Sequence, residues 1–245
     1  GKVTVMRLNE DGTIGEMTDE VFHKGLGSVA ERNFRPHVNC VNITPDQNYL
    51  CAVDLGVDQV KIYKFNHDTG KIKLVDMLRC EQESAPRIIK FSPDGRFAYL
   101  ICELKNYISV YSYTAGPRGP IFEPVQTIST LNSYHSANSA ACVLRFSRDW
   151  KYVLCSNAGD NSVGVFSVDN QSGKLEKICI LPISGDYPKA AYFFPDNRHI
   201  MALNHESNTM TIFRVNYEEG YFSLWGKPLK VETPNCILVS ETGEV

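Results

Sequence analysis

Residues 86–113 read PRIIKFSPDGRFAYLICELKNYISVYSY. The run divides into an apolar strand, a tight SPDG turn, a second strand, a polar corner and a third strand. The third strand alternates apolar and polar side chains, the period of a strand with one buried face. Ser-Pro-Asp-Gly is turn chemistry. Arg87 stands just before the first strand and Glu103 just after the second. In an antiparallel hairpin those two points fall at the same end. A guanidinium and a carboxylate are therefore expected to face each other there.

The same plan returns along the chain. Its turn aspartate is Asp46 in ITPDQ, Asp94 in FSPDG, Asp149 in FSRDW and Asp196 in FFPDN, at spacings of 48, 55 and 47 residues. A weaker copy, ILVSETG, puts Thr242 at the aspartate position 46 residues further on. Each marker is followed by a short strand (YLCAVD, FAYLIC, YVLCSN, HIMALN) and then an alternating one (QVKIYKF, YISVYSY, SVGVFSV, TMTIFRV). Three units add a weaker fourth strand, in HDTGKIKLVDM, NQSGKLEKICI and EEGYFSLW. Four antiparallel strands repeating at this interval describe the blade of a β-propeller. A β-sandwich would not repeat its turn chemistry so evenly.

The expectation is an all-β, single propeller domain over residues 1–245. Whole blades cover 37–79, 87–131, 139–182 and 188–232, with partial blades at 1–20 and 233–245. Long connections fall at 16–36 and 129–138 and are expected to cross one face of the propeller. An open propeller would leave strand edges unpaired, so the sequence is expected to be a piece of a longer one.

Composition narrows the function classes. The chain has 245 residues, 43% hydrophobic and 22% charged, with formal net charge −3. It lacks the clustered basic face of a nucleic-acid binder and any apolar run near the ~18 residues of a membrane helix. No secretory leader opens it, and a cytoplasmic location is expected. The eight cysteines form no CxxC and mostly sit inside apolar strands, as buried free thiols do in a reducing compartment. His23, His67, His135 and His199 show no metal-ligand spacing and are expected in loops or at the surface. No Gly-rich phosphate loop or GxSxG elbow is present, and no metal or other cofactor is expected. The WD and GH signatures of interaction propellers are also missing.

The repeat serves as a ruler. Arg87 lies seven residues before its turn aspartate and Glu103 nine after it. The same offsets select Asn39 and Leu55, Cys142 and Ala158, and Lys189 and His205; seven before Thr242 is Asn235. The first strand of a blade lines the central channel, so these residues, joined by His37, are expected to ring one mouth of it. Arginine offers a planar fork to a carboxylate or phosphate, and lysine a point charge. Such a ring suits a small oxygen-rich anion. The bland alternative is an Arg87–Glu103 ion pair that merely ties two strands.

The chain resembles the lactonase family of seven-bladed propellers, which includes bacterial 6-phosphogluconolactonases and a fungal muconate-lactonizing enzyme. The matching stretches are RPHVNCVNITPD, AVDLGVDQVKIYKF, APRIIKFSPDGRFAYLICEL, VQTISTL, SNAGDNSVGVFSV and YPKAAYFFPD. The resemblance implies site roles for Arg87, Glu103 and His37. It also marks departures: Asn39 and Ile88 replace family histidines, Ala158 a family arginine and Val143 an acidic residue. The implied function is hydrolysis of a sugar lactone, of the 6-phosphogluconolactonase type, with a small-molecule lactone or sugar acid as partner, Arg87, Glu103 and His37 catalytic, and Asn39, Lys189, His205 and Asn235 binding substrate. An arginine beside a carboxylate favours its charged form, which tips the proton-accepting role towards His37. The rival expectation is a propeller of the same family that binds a ligand or protein without turnover.

Overall fold

The computed structural model describes residues 1–28, 33–116, 119–132 and 138–239. Thr242 and His135 lie outside the described residues. Among the described residues the chain is built of antiparallel strands, with one single-turn 3-10 helix at Leu55–Val57. β1 (Lys2–Leu8) pairs with β2 (Ile14–Phe22). β3 (Val38–Ile43), β4 (Tyr49–Asp54), β5 (Gln59–Asn66) and β6 (Lys71–Arg79) form a sheet in that order. β7 (Pro86–Phe91), β8 (Phe97–Cys102), β9 (Tyr107–Gly116) and β10 (Gly119–Ser129) form the next. β11 (Ala140–Phe146), β12 (Tyr152–Ala158), β13 (Ser162–Val168) and β14 (Leu175–Pro182) repeat the order.

In the last sheet β15 (Pro188–Phe193), β16 (His199–Asn204) and β17 (Thr209–Asn216) are followed by an outer strand in two pieces. β18 (Tyr221–Leu224) pairs with Phe213–Asn216, and β19 (Leu229–Lys230) with Thr209 and Met210. The break between them contains Gly226 at φ 77° and Pro228, which has no ladder donor. The all-β class and the four-stranded antiparallel sheets are as the sequence led one to expect.

Two compact units divide the chain: Gly1–Lys105 with Ser109–Val125, and Asn106–Ile108 with Gln126–Val245. In the first, Val3 of β1 joins Leu50, Ala52, Tyr63 and Ile72 in a buried cluster. The β1–β2 pair is tied to the β3–β6 sheet by Thr18, whose hydroxyl donates to the Gly70 carbonyl (3.1 Å), and by Asp19, which accepts from the Ile72 N–H (2.8 Å). In the second, Leu154, Val163, Val165, Ile200, Ala202 and Phe213 lie in one core shared by the β11–β14 and β15–β17 strands. The second strand of each of the four larger sheets (β4, β8, β12 and β16) is buried along nearly its whole length, which explains why these strands read as continuous apolar runs.

The repeated turn is closed by its own side chains. The hydroxyls of Thr44, Ser92 and Ser147 each donate to the aspartate two residues on, at 2.6, 2.6 and 2.7 Å. The same hydroxyls accept the N–H of Tyr49, Phe97 and Tyr152 (3.1, 3.0 and 3.0 Å). In the fourth copy Phe194 replaces the hydroxyl residue, and the His199 ring binds Asp196 instead (2.6 Å). After each aspartate comes a left-handed residue: Gln47, Gly95, Trp150 and Asn197, at φ 61°, 72°, 58° and 54°.

Two expectations are corrected. β2 runs to Phe22, so the long connection begins at His23 rather than at residue 16. His23 is no surface residue: its side chain is fully buried between Asp54 and Tyr63. His67 is exposed, as expected, and His199 is a half-buried first residue of β16. Among the described residues no helix is long and apolar enough to cross a membrane.

Candidate functional site

The residues selected by the seven-residue offset share one backbone feature. In each sheet the pairing of the first two strands slips by one residue: between Val38 and Cys40, Pro86 and Ile88, Ala141 and Val143, and Pro188 and Ala190. The residue bulged out is Asn39, Arg87, Cys142 or Lys189. A bulge adds a residue to one strand and re-aims its side chain. The seven-residue offset thus falls on the bulged position of each of these four hairpins.

In β7–β8 the expected pair forms. Arg87 Nη1 contacts Glu103 Oε2, with the carboxylate 1% exposed and the arginine side chain 25% exposed. Glu103 is fixed from behind, since its N–H donates to the Ala85 carbonyl (2.8 Å). Asn39, the bulged residue of β3, donates from Nδ2 to the Arg87 carbonyl (3.2 Å). The structure therefore brings Asn39, Arg87 and Glu103 together. His37 enters the same strand two residues before Asn39 with its ring exposed. Its N–H donates to Asp54 Oδ1 (2.7 Å), and its carbonyl accepts from Leu55 N–H (3.0 Å).

In the second unit the equivalent ends differ. Cys142 and Ala158 are buried with Ala140 in an apolar cluster against Tyr187. Lys189 is half-buried, with Nζ 5.7 Å from the Tyr187 ring centroid. His205 donates its N–H to the Tyr187 carbonyl (3.0 Å), while its buried Nδ1 has no hydrogen-bond partner among the described residues. Asn235 is exposed outside any strand, and its amide turns back to the Thr233 carbonyl (3.1 Å).

Two sets of residues were missed in the sequence. The first sits twelve residues after each turn aspartate: Asp58, Asn106, Asn161 and Asn208, all left-handed, at φ 53°, 51°, 53° and 53°. The first three grip the segment leading to the next sheet, and Asn208 grips the segment after β19. Asp58 accepts from the N–H of Glu83 (2.9 Å) and Ala85 (2.8 Å) and from Asn33 (2.9 Å). Asn106 donates to the Ser139 carbonyl, Asn161 accepts from Tyr187 N–H and Asn208 from Thr233 N–H (2.9, 2.8 and 2.8 Å). Asp and Asn tolerate this conformation, and an Asx at a constant offset was a readable signal.

The second is the chain Tyr63–His23–Asp54. His23 Nδ1 lies 2.5 Å from Asp54 Oδ2 and Nε2 lies 3.0 Å from the Tyr63 hydroxyl. Burial pushes the Asp54 carboxyl up, and hydrogen bonds from His23, His37 N–H and Gly56 N–H more than offset this, so it stays below the ordinary aspartate range. No local pattern announces this contact, because its members are separated by 31 and 40 residues in sequence.

The geometry has relatives. The profile of the family described as "Lactonase, 7-bladed beta-propeller" matches residues 1–239. The chain is 30% identical over 237 residues to the 6-phosphogluconolactonase of Bacillus subtilis, covering 97% of this chain and 66% of that protein. Among solved structures it is similar to a putative 6-phosphogluconolactonase from Bacteroides fragilis, with TM-score 0.83 and 29% identity over 96% of this chain and 66% of that one. It is also similar to the periplasmic gluconolactonase PpgL of Pseudomonas aeruginosa, with TM-score 0.87 and 27% identity over 96% of this chain and 65% of that one. The chain spans about two-thirds of the length of these relatives. A four-stranded repeat, a bulge at each strand entrance and a profile match along nearly all of its length agree: this chain belongs to the lactonase family of seven-bladed β-propellers.

Proposed function

We propose that the chain carries residues of a lactonase that opens a small anionic sugar lactone, of the 6-phosphogluconolactonase type. The observation that carries this reading is Arg87, presented on a bulge against the buried Glu103, with Asn39 bound to its backbone and His37 at the neighbouring strand entrance. The names of the B. subtilis and P. aeruginosa relatives support the substrate class. Glu103 engages Nη1 and orients the guanidinium, whose planar fork matches a carboxylate, phosphate or developing oxyanion. His37 takes a proton from water, and the water oxygen bonds to the lactone carbonyl carbon. Arg87 stabilises the oxyanion that results. Collapse breaks the ring C–O bond, and His37 returns its proton to the departing ring oxygen. The product is the open hydroxy acid.

Lys189, His205 and Asn235 are assigned to substrate binding, on their offsets from the turn aspartates. A reducing, cytoplasmic location belongs to the same proposal. Its support is that all eight cysteines are free thiols, five of them buried, with burial pushing Cys51 and Cys155 up to about 12.

The test is hydrolysis of 6-phosphogluconolactone beside unphosphorylated gluconolactone. Removing Arg87 alone strands a buried carboxylate, so Arg87→Ala is paired with the double variant Arg87→Met/Glu103→Gln. Activity undiminished in both would sink the assignment. A second reading, ligand binding without turnover, is favoured by the apolar Cys142–Ala158 end, where the family carries an arginine. It predicts calorimetric binding of 6-phosphogluconate with no lactone consumed.

A further inference from the structure

We infer that Tyr63, His23 and Asp54 form a buried positioning chain that sets the backbone of His37 and, through it, the direction of the His37 ring. The inference rests on the lactonase reading for its consequence and on geometry for its existence. Each member is enclosed: Asp54 and the His23 side chain are 0% exposed and Tyr63 is 2% exposed. Buried polar groups need hydrogen-bond partners, and these three find them in one another.

Only one proton arrangement does so while His23 stays neutral. Burial and the charge of Asp54 push the Tyr63 hydroxyl up to about 12, so it keeps its proton and donates to His23 Nε2. The remaining imidazole proton then sits on Nδ1 and donates to Asp54 Oδ2. This leaves Asp54 Oδ1 for the His37 N–H (2.7 Å) and the Gly56 N–H (3.1 Å). The other side of His37 is held by the next residue along, since Leu55 N–H donates to its carbonyl (3.0 Å).

Close packing keeps this arrangement in place. A Cβ on Gly56 would lie 1.7 Å from the Arg35 carbonyl oxygen, and one on Gly27 would lie 2.2 Å from the Gly56 carbonyl oxygen. The irregular segment leading to His37 and the loop after His23 are thus both pressed onto the turn that Asp54 caps. The cation facing the chain is Lys61, 8% exposed, with Nζ 3.4 Å from the Lys24 carbonyl oxygen. Burial pulls its ammonium down and the charge of Asp54 opposes this. Asp54 serves as a positioning residue that acts through His37. A base displaced by ~1 Å can lose about 10²-fold in rate.

The test uses the full chain and 6-phosphogluconolactone. His23→Ala, which removes the donor to Asp54, is expected to lower kcat by at least about tenfold while KM stays within about twofold. His23→Asn, whose amide can replace the Nδ1 donor, is expected to recover most of that loss. Tyr63→Phe, which deletes one hydroxyl, is expected to cost a few-fold; it is read in the same way if His23→Ala fails to fold. Unchanged kcat in folded His23→Ala or Tyr63→Phe overturns the proposal, as does equal damage from His23→Asn and His23→Ala. The 15N resonance of the His37 amide decides the geometry without turnover. It should move in His23→Ala and Tyr63→Phe and hold still in Arg87→Met/Glu103→Gln. A stationary amide in the first two overturns the chain, whereas a moving amide in a protein that hydrolyses no lactone overturns only the lactonase reading.

Discussion

Hairpins β7–β8 and β11–β12 share a serine–aspartate turn, a buried second strand and a bulge seven residues before the aspartate. At the bulged end one carries Arg87 against Glu103, and the other carries Cys142 against Ala158. The backbone plan is the same, so it cannot be the source of the chemistry. It is a device for setting one side chain per hairpin out of register, and the residue placed there decides whether that end carries a charged pair or packs as core. A repeat fold can therefore keep its architecture while gaining or losing a site one residue at a time.

Arg87→Ala against Cys142→Ala tests this contrast most strongly. Arg87→Ala should lower kcat/KM for 6-phosphogluconolactone by ~10²–10³-fold and destabilise by ~3 kcal/mol, because the buried Glu103 carboxylate loses the Arg87 guanidinium. Cys142→Ala should leave activity unchanged and cost ~1 kcal/mol in urea denaturation. Comparable loss of activity in the two would dissolve the distinction between the hairpins.

Ala158→Arg would place the family's arginine where this chain has none. Ala158 is 0% exposed among Ala140, Cys142 and Tyr187, so a guanidinium there must displace its neighbours and lose its hydration. We expect ~3 kcal/mol of destabilisation and no gain in turnover. A rise in kcat with the melting temperature held would show that the apolar end is a decayed site able to reopen.

A smaller contrast separates the left-handed Asx residues. Asp58→Ala strips partners from the Glu83 and Ala85 N–H groups at a buried position and should cost ~2–3 kcal/mol. Asn208→Ala frees the Thr233 N–H and removes a long contact to the Glu206 carbonyl, both at exposed positions, and should cost ~0.5–1 kcal/mol. Equal costs in thermal melts would mean that burial is not what distinguishes the two clasps.

The mildest probe is pH. Burial pushes the Asp46, Asp94 and Asp196 carboxyls up, but hydrogen bonds from the turn outweigh this, and all three sit below the ordinary aspartate range, as Asp54 does. A carboxyl depressed in the folded state stabilises above its unfolded pKa of ~3.9 and loses that contribution as pH falls through the folded value. Melting temperature should be flat from neutral pH to about 5 and fall below about 4. In Asp94→Asn the fall should be shallower, and an unchanged slope would remove the turn from the account.

Much of this site was legible before the structure. Arg87 and Glu103 meet because a two-strand hairpin with a closed turn has only one register compatible with its buried face. The bulge was half legible: the offset found Asn39, Arg87, Cys142 and Lys189, while the slip that re-aims them leaves no mark in the alternation. The contact of Asn39 with Arg87 joins residues 48 apart in sequence, and His23 looked like any loop histidine until Asp54 and Tyr63 closed around it.

The sequence alone determined the repeat, the turns and the facing of Arg87 with Glu103. These follow from period-two patterning and turn residues, forces that act within a few tens of residues along the chain. The tertiary structure alone decided which polar groups are buried together. The Tyr63–His23–Asp54 chain, the Asp58 clasp and the apolar enclosure of Ala158 each depend on packing between segments distant in sequence. Desolvation, which sets what a buried carboxylate or imidazole can do, is a property of those packed neighbours rather than of any local stretch.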